Sequence, residues 1–457
     1  MNAAKCLLLC FTLCAHACGQ QSRTALQLGD VKSLPDVTAE LQKKIDGERE
    51  NLHLSGDTNY RITAPLVFDL KKLGAVAIRA TEGTTIVMDG PGPAIRIIGS
   101  HDGTASPKSF QPATWNQRMP IISGLEILGA HPEADGIELV QTVEASLNQV
   151  AVRWCRHGVH LVDRNRNVVI SDCHLYENSG VGVFLDDVNL HQINISNSHI
   201  SYNREGGIVV RDGNVRNLQV SGCDIEGNMP ADDTPTTTAN VLIDVTNSPD
   251  DRSKSIAEIS ITGCTIQHAA NYSGKDIDTV APGGANIRLA GKKSYPINSV
   301  TISGNVLSDT TVNIDVSYAH DVAINANNFF APKPDNLKVA NSQRVVVTGN
   351  TFNPRQFQRP GTIVFEECDD CIVSSNTLHK FDTDQGALIF RRCNGCIVSS
   401  LLLTDCGSGI HIEASADLSI SNCRIARLAT GETPVKIDSA SQRIDQNRNS
   451  VTFVTAE

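Results

Sequence analysis

Glu138 and His160 stand 22 positions apart, and His160 belongs to a stretch, "RWCRHGVHLVDRNRN" (153–167), that also carries Arg153, Arg156, His157, Arg164 and Arg166. A carboxylate held about 5 Å from an imidazole favours its protonated form and orients it for proton transfer. The pair is therefore a candidate for acid–base chemistry, with His157 and Asp135 beside it. Guanidinium forks bind carboxylate and sulfate groups well. In a chain of net charge −11, a local basic patch suits an anionic glycan, while the overall acidity argues against nucleic acid.

The chemistry such residues could perform is β-elimination on a uronate polymer. A base takes the C5 proton and a cation neutralises the adjacent carboxylate. His160 or His157 is the candidate base, tuned by Glu138, with Asp135 as a further candidate acid. Arg156, Asp186, Arg211 and Trp115 are the candidate substrate contacts. Trp115, in the loop 99–120, offers a ring on which a sugar could stack. The rival class is a non-catalytic carbohydrate-binding or cell-surface scaffold protein, which would hold the glycan and release no product.

Two Cys-x-x-Cys pairs, Cys368/Cys371 and Cys393/Cys396, have the local spacing of zinc half-sites. Each pair is followed by Ile-Val-Ser-Ser, and the pairs are 25 residues apart, so a repeat explains the spacing without a metal. Cys371 and Cys396 take the place of inward aliphatic residues elsewhere, where a thiol is a small buried hydrophobe. A packing ladder, or one strained disulfide, is the preferred reading over zinc, and no metal site is expected.

The elements that must position these residues follow from that repeat. The pattern aliphatic-x-aliphatic-Ser/Thr-x-Cys/Asn recurs from "VVISDC" (168–173) to "LSISNC" (418–423), in steps of 22 to 26 residues with two steps of 41. Between its copies runs a second pattern, as in "DGIEL" (135–139), "HGVHL" (157–161) and "VGVFL" (181–185). Both alternate with period two, and Gly, Asn, Ser and Asp punctuate them, so they read as short strands. No copy buries its apolar side alone; stacked copies share one core. Aromatics are only 4% of the chain, so that core is aliphatic. In this register His160 lies one coil above Glu138, and Asp186–Arg211–Asp244 and Glu366–Arg391–Glu413 form columns of alternating charge. Cys155, Cys173, Cys223 and Cys264 are expected to share one ladder with Asn305, Asn327 and Asn350.

With coils of this length the chain resembles the right-handed parallel β-helix proteins of the pectate-lyase-like superfamily. The resemblance spans most of 36–440 and implies an all-β solenoid. "DVTAELQKKIDGE" (36–48) fits its N-terminal capping helix and "NLHLSGDTNYRITAPLVFDL" (51–70) its first coil. "EADGIEL" (133–139) looks like the Asn-Thr-Asp-Gly strand of polygalacturonases, with Asp135 at the position of a catalytic acid. One coil on, however, Arg156-His157 replaces that family's Asp-Asp pair, and Gly180-Val181-Gly182 replaces Gly-His-Gly. "HPEAD" (131–135) matches the Asp-Pro-His-Asp of mannuronan epimerases poorly, and the calcium-binding aspartates of pectate lyases are missing. The resemblance specifies the fold and leaves the reaction open between lyase and hydrolase.

The start, "MNAAKCLLLCFTLCAHACGQQ", reads as an export signal, with Lys5 before a short apolar run and Ala15-His16-Ala17 as the cleavage site. Lipidation at Cys18 is the alternative to free secretion or a periplasmic location. The expected division is signal 1–17, linker 18–35, capping helix 36–50, β-helix 51–440 and a C-terminal cap or tail 441–457. A monomer without membrane span is expected, with no cofactor and calcium the one ion left open.

Overall fold

The computed structural model describes residues 28–47, 51–81, 83–103, 106–232, 234–250, 254–270, 281–355 and 360–454. The expected export signal and Cys18 lie outside the described residues. The chain winds into a parallel β-solenoid with two sheets, one of 27 strands and one of 15. Most full coils contribute two strands to the larger sheet, merged into one in Val159–Ser171 and Val181–Ser196, and one three- to five-residue strand to the smaller. Every strand pairs in parallel with its counterpart one coil away, as in His160 with Glu138 and Phe184 with His160. Ile, Leu and Val from all three columns fill the space between the sheets. Fully burying one such side chain is worth about 1.5–3 kcal/mol. Phe329 stacks on Phe352 at 4.4 Å between ring centres, and Phe365 on Phe390 at 5.1 Å.

The first sequence pattern encodes the corner between the sheets. The residue before each Cys/Asn position has a positive φ, among them Asp172 (55°), Asn197 (48°), Gly222 (62°) and Asn422 (54°). This left-handed conformation is cheap for Gly, Asn and Asp, which occupy most copies. The second pattern encodes close approach. A Cβ on Gly158 would stand 2.5 Å from the Gly182 carbonyl oxygen, so only glycine fits between these rungs.

Two buried asparagine ladders run along the corners. In one, Cys264 leads into Asn305, Asn327, Asn350 and Asn376, each amide oxygen accepting from the backbone N–H of the rung before at 2.9 Å. Cys155 does not join it. Its backbone N–H donates instead to Asn178 Oδ1 (3.0 Å), heading a second ladder through Asn203, Asn228 and Asn240. The two corners present similar turn sequences, so spacing alone did not separate them. All four thiols of the Cys-x-x-Cys pairs are free and buried, Cys368 and Cys393 as fully as Cys371 and Cys396.

The helix Thr38–Gly47 closes the N-terminal end by inserting Leu41 and Ile45 into the core. Gln42 on this helix accepts from Val67 N (2.9 Å) and donates to Val67 O (3.0 Å), so the edge of the strand Leu66–Asp69 is occupied. At the other end, residues 442–453, expected as a cap or tail, add the strands Gln442–Asn447 and Ser450–Phe453 to the two sheets.

Candidate functional site

Strands Gly92–Ile98, Ala134–Val140, Val159–Ser171, Val181–Ser196 and Gly206–Arg211 lie side by side. Their outward residues bring Arg96, Glu138, His160, Phe184, Asp186 and Arg211 onto one surface. Glu138 is the hub of the lower half. Arg96 grips it through Nε at 2.5 Å and Nη2 at 3.4 Å, and its Oε2 faces His160 Nδ1 at 4.0 Å. On the other side of the imidazole, His160 Nε2 meets Asp186 Oδ2 at 3.2 Å. This contact holds the Asp186 carboxyl below the usual carboxylate range. Phe184 lies flat on His160, with ring centres 5.1 Å apart and planes 8° from parallel. Arg211 lies over the Phe184 ring at 5.3 Å.

Asp186 and Arg211 are register partners, as the charge-column reading requires, yet Asp186 makes its hydrogen bond to His160. The contact is diagonal, since Asp186 is two residues beyond Phe184, the direct partner of His160. Diagonal neighbours stay within reach of long or polar side chains. Arg96 and Phe184 received no role from the sequence, although their outward positions, one coil to either side of Glu138 and His160, were legible in the repeat.

The remaining candidates divide differently. Asp135 is buried and fully engaged: Arg156 binds it in a fork (2.9 and 2.6 Å) and the His157 backbone N–H donates to it at 3.1 Å. His157 is also buried, and its Nδ1 accepts from Val181 N at 3.1 Å. Burial holds its pKa down to about 4, with Arg156 and His160 pushing the same way. Trp115 does not reach the histidines. It packs edge-on against Phe110 (4.9 Å) and beneath Arg118 (5.9 Å).

The long excursions flank this surface. The segment 99–120 leaves the C-terminal end of Gly92–Ile98, and Arg164 anchors it by donating to Gly103 O. The excursions ahead of Ala239–Asp244 and Ala285–Ala290 approach the opposite ends of their strands and bond to each other, Thr236 N to Pro282 O at 2.8 Å and Ala281 N to Asp232 O at 2.9 Å.

Comparison with known proteins decides the architecture. Residues 116–266 match the family described as "Right handed beta helix region". The chain is a right-handed parallel β-helix protein. Residues 258–448 of this β-helix also match "Periplasmic copper-binding protein (NosD)". In that stretch the thiols of Cys368, Cys371, Cys393 and Cys396 are sealed in the core, and each lies within reach of a backbone carbonyl. No curated protein matches the sequence. Among solved structures, the β-helix is similar to the catalytic unit of a GH87 α-1,3-glucanase from Streptomyces thermodiastaticus (12% identity, 96% of this chain and 72% of that one, TM-score 0.51). It is also similar to the tailspike protein gp49 of Pseudomonas phage LKA1 (12% identity, 87% and 74%, TM-score 0.50). Against ORF18 of Geobacillus virus E2 (13% identity, TM-score 0.43) the match covers 75% of this chain and spans 59% of the viral protein's length. At these identities the likeness is one of fold. No helix among the described residues is long and apolar enough to cross a membrane.

Proposed function

We infer that this β-helix is an exported protein that acts on an anionic polysaccharide along the Glu138–His160–Asp186 surface. The observation that carries this reading is an imidazole bracketed by two carboxylates and backed by a parallel aromatic ring. Likeness of fold to a glucanase and a phage tailspike is consistent with it.

The geometry favours His160 over His157 as the base. His157 spends its Nδ1 lone pair on Val181 N and is buried. His160 Nε2, as donor to Asp186, leaves Nδ1 as the basic nitrogen, and the 4.0 Å separation from Glu138 is too long for a hydrogen bond. Arg156 is committed to Asp135, so Arg211 is the cation best placed to neutralise a substrate carboxylate. Asp135, with Arg156, is then a structural pair rather than a catalytic acid.

One observation favours the second reading, a binding surface without turnover. The cations Arg96 and Arg156 already grip Glu138 and Asp135. The two readings separate on incubation with a panel of anionic polysaccharides, followed by ultraviolet absorbance for unsaturated products and by a reducing-end assay. Product from a uronate polymer supports the enzyme; retention of a polymer without product supports the binding protein.

A further inference from the structure

The smaller sheet carries a second group of ionisable side chains that the His160 surface does not use. Strands His174–Tyr176, His199–Ser201 and Asp224–Glu226 stack in register, which lines up His174, His199 and Asp224 with Glu226 alongside. His199 Nε2 lies 3.8 Å from Asp224 Oδ2 and 3.9 Å from Glu226 Oε1, and one donor atom from each of the three residues falls within 4.8 Å of the others. These separations exceed a hydrogen bond. They approach the roughly 3.3–3.6 Å between neighbouring ligands of a tetrahedral ion with bonds of about 2.0–2.2 Å. His174 is one rung below, its ring centre 6.0 Å from that of His199.

A separate observation concerns the far oxygen of Glu226. Its Oε2 faces His268 Nε2 at 3.8 Å, and His268 Nδ1 faces Asp309 Oδ2 at 3.6 Å. Asp309 is 5% exposed, and among the described residues its carboxylate takes no hydrogen bond. These separations too exceed a hydrogen bond, and they place an imidazole and a buried carboxylate behind Glu226, where the outer support of a metal ligand sits.

We propose that His199, Asp224 and Glu226 bind one divalent transition-metal ion, with His174 as a fourth ligand, and that His268 and Asp309 position Glu226. Imidazole among the donors selects zinc-like ions over calcium or magnesium, which take oxygen ligands. The side chains of His199 and Asp224 are 36% and 50% exposed, so the ion enters from solvent and keeps a position open to water or to an oxygen of a bound molecule.

The test is calorimetric titration of the chelator-treated full chain with Zn²⁺, alongside visible absorption of its Co²⁺ form. One Zn²⁺ per chain is expected. His199→Ala and Glu226→Gln should each weaken binding more than tenfold with unchanged circular dichroism, and Asp309→Asn by about 10- to 100-fold. The Co²⁺ spectrum should show ligand-field bands without sulfur-to-metal charge transfer. If the wild type binds no Zn²⁺, if both ligand variants bind it unchanged, or if Ca²⁺ competes equally, the proposal is overturned. Charge transfer from sulfur overturns it too, by placing the ion on the cysteines, and this spectrum decides the matter even where a variant fails to fold.

Discussion

His160 and Asp186 meet at 3.2 Å although neither is the other's register partner. The contact bridges adjacent coils diagonally and fixes which imidazole nitrogen faces away from the carboxylate. Under the proposed function, Asp186 is a positioning residue for His160. In Asp186→Asn the amide no longer favours one orientation of the ring, and kcat should fall about 10- to 100-fold, less than the roughly 100- to 10,000-fold that removing a general acid or base itself costs. KM should change little and the pH profile should shift. A uniform loss of protein stability with an unchanged pH profile would assign Asp186 to structure alone.

The Asp135–Arg156 pair makes a contrasting prediction. Asp135 is buried and takes three hydrogen bonds, while Arg156 is 44% exposed and can re-solvate. Asp135→Ala should therefore cost about 2–3 kcal/mol, less than the 3–5 kcal/mol of a fully buried broken pair. Denaturant unfolding measures this. A stable Asp135→Ala protein lacking activity would instead restore Asp135 as a catalytic acid.

Asn203 tests the second ladder. Its amide donates to Asn228 Oδ1 (2.7 Å) and Leu175 O (3.0 Å) and accepts from Asn178 Nδ2 (2.8 Å). Removing it strands buried partners on two rungs, each at about 1–3 kcal/mol. Asn203→Ala should lower the thermal midpoint far more than alanine at the exposed Asn194. Equal shifts would deny the ladder its structural weight.

Two buried histidines set an acid limit on stability. Burial holds both His101 and His157 down to about 4, against an ordinary value of 6.5. The unfolded chain therefore takes up protons between pH 6.5 and 4 that the folded chain refuses. Stability is full above pH 6.5 and is lost as pH falls toward 4. In His157→Asn, whose amide oxygen stands where Nδ1 does and can still accept from Val181 N, this slope should become shallower. An unchanged slope would mean that His157 is protonated in the native state.

The stack of coils was legible because period-two alternation and a repeat of about two dozen residues survive every substitution in the core. The registers of Glu138 with His160 and of Asp186 with Arg211 follow from that repeat alone. Diagonal contacts and corner geometry do not: the bond from His160 to Asp186 depends on side-chain reach, and similar turns at both corners hide that Cys155 belongs to the second ladder. His199, Asp224 and Glu226 escaped notice for another reason. Their strands are three residues long and split one column between His and Asp, too brief a pattern to stand out beside the longer strands.

The most direct measurement compares wild type with His160→Ala on any uronate polymer that the wild type processes, following unsaturated product by ultraviolet absorbance. A loss of at least about 100-fold is expected in a variant with unchanged circular dichroism. Equal rates for the two proteins, or no polymer processed by the wild type, would contradict it.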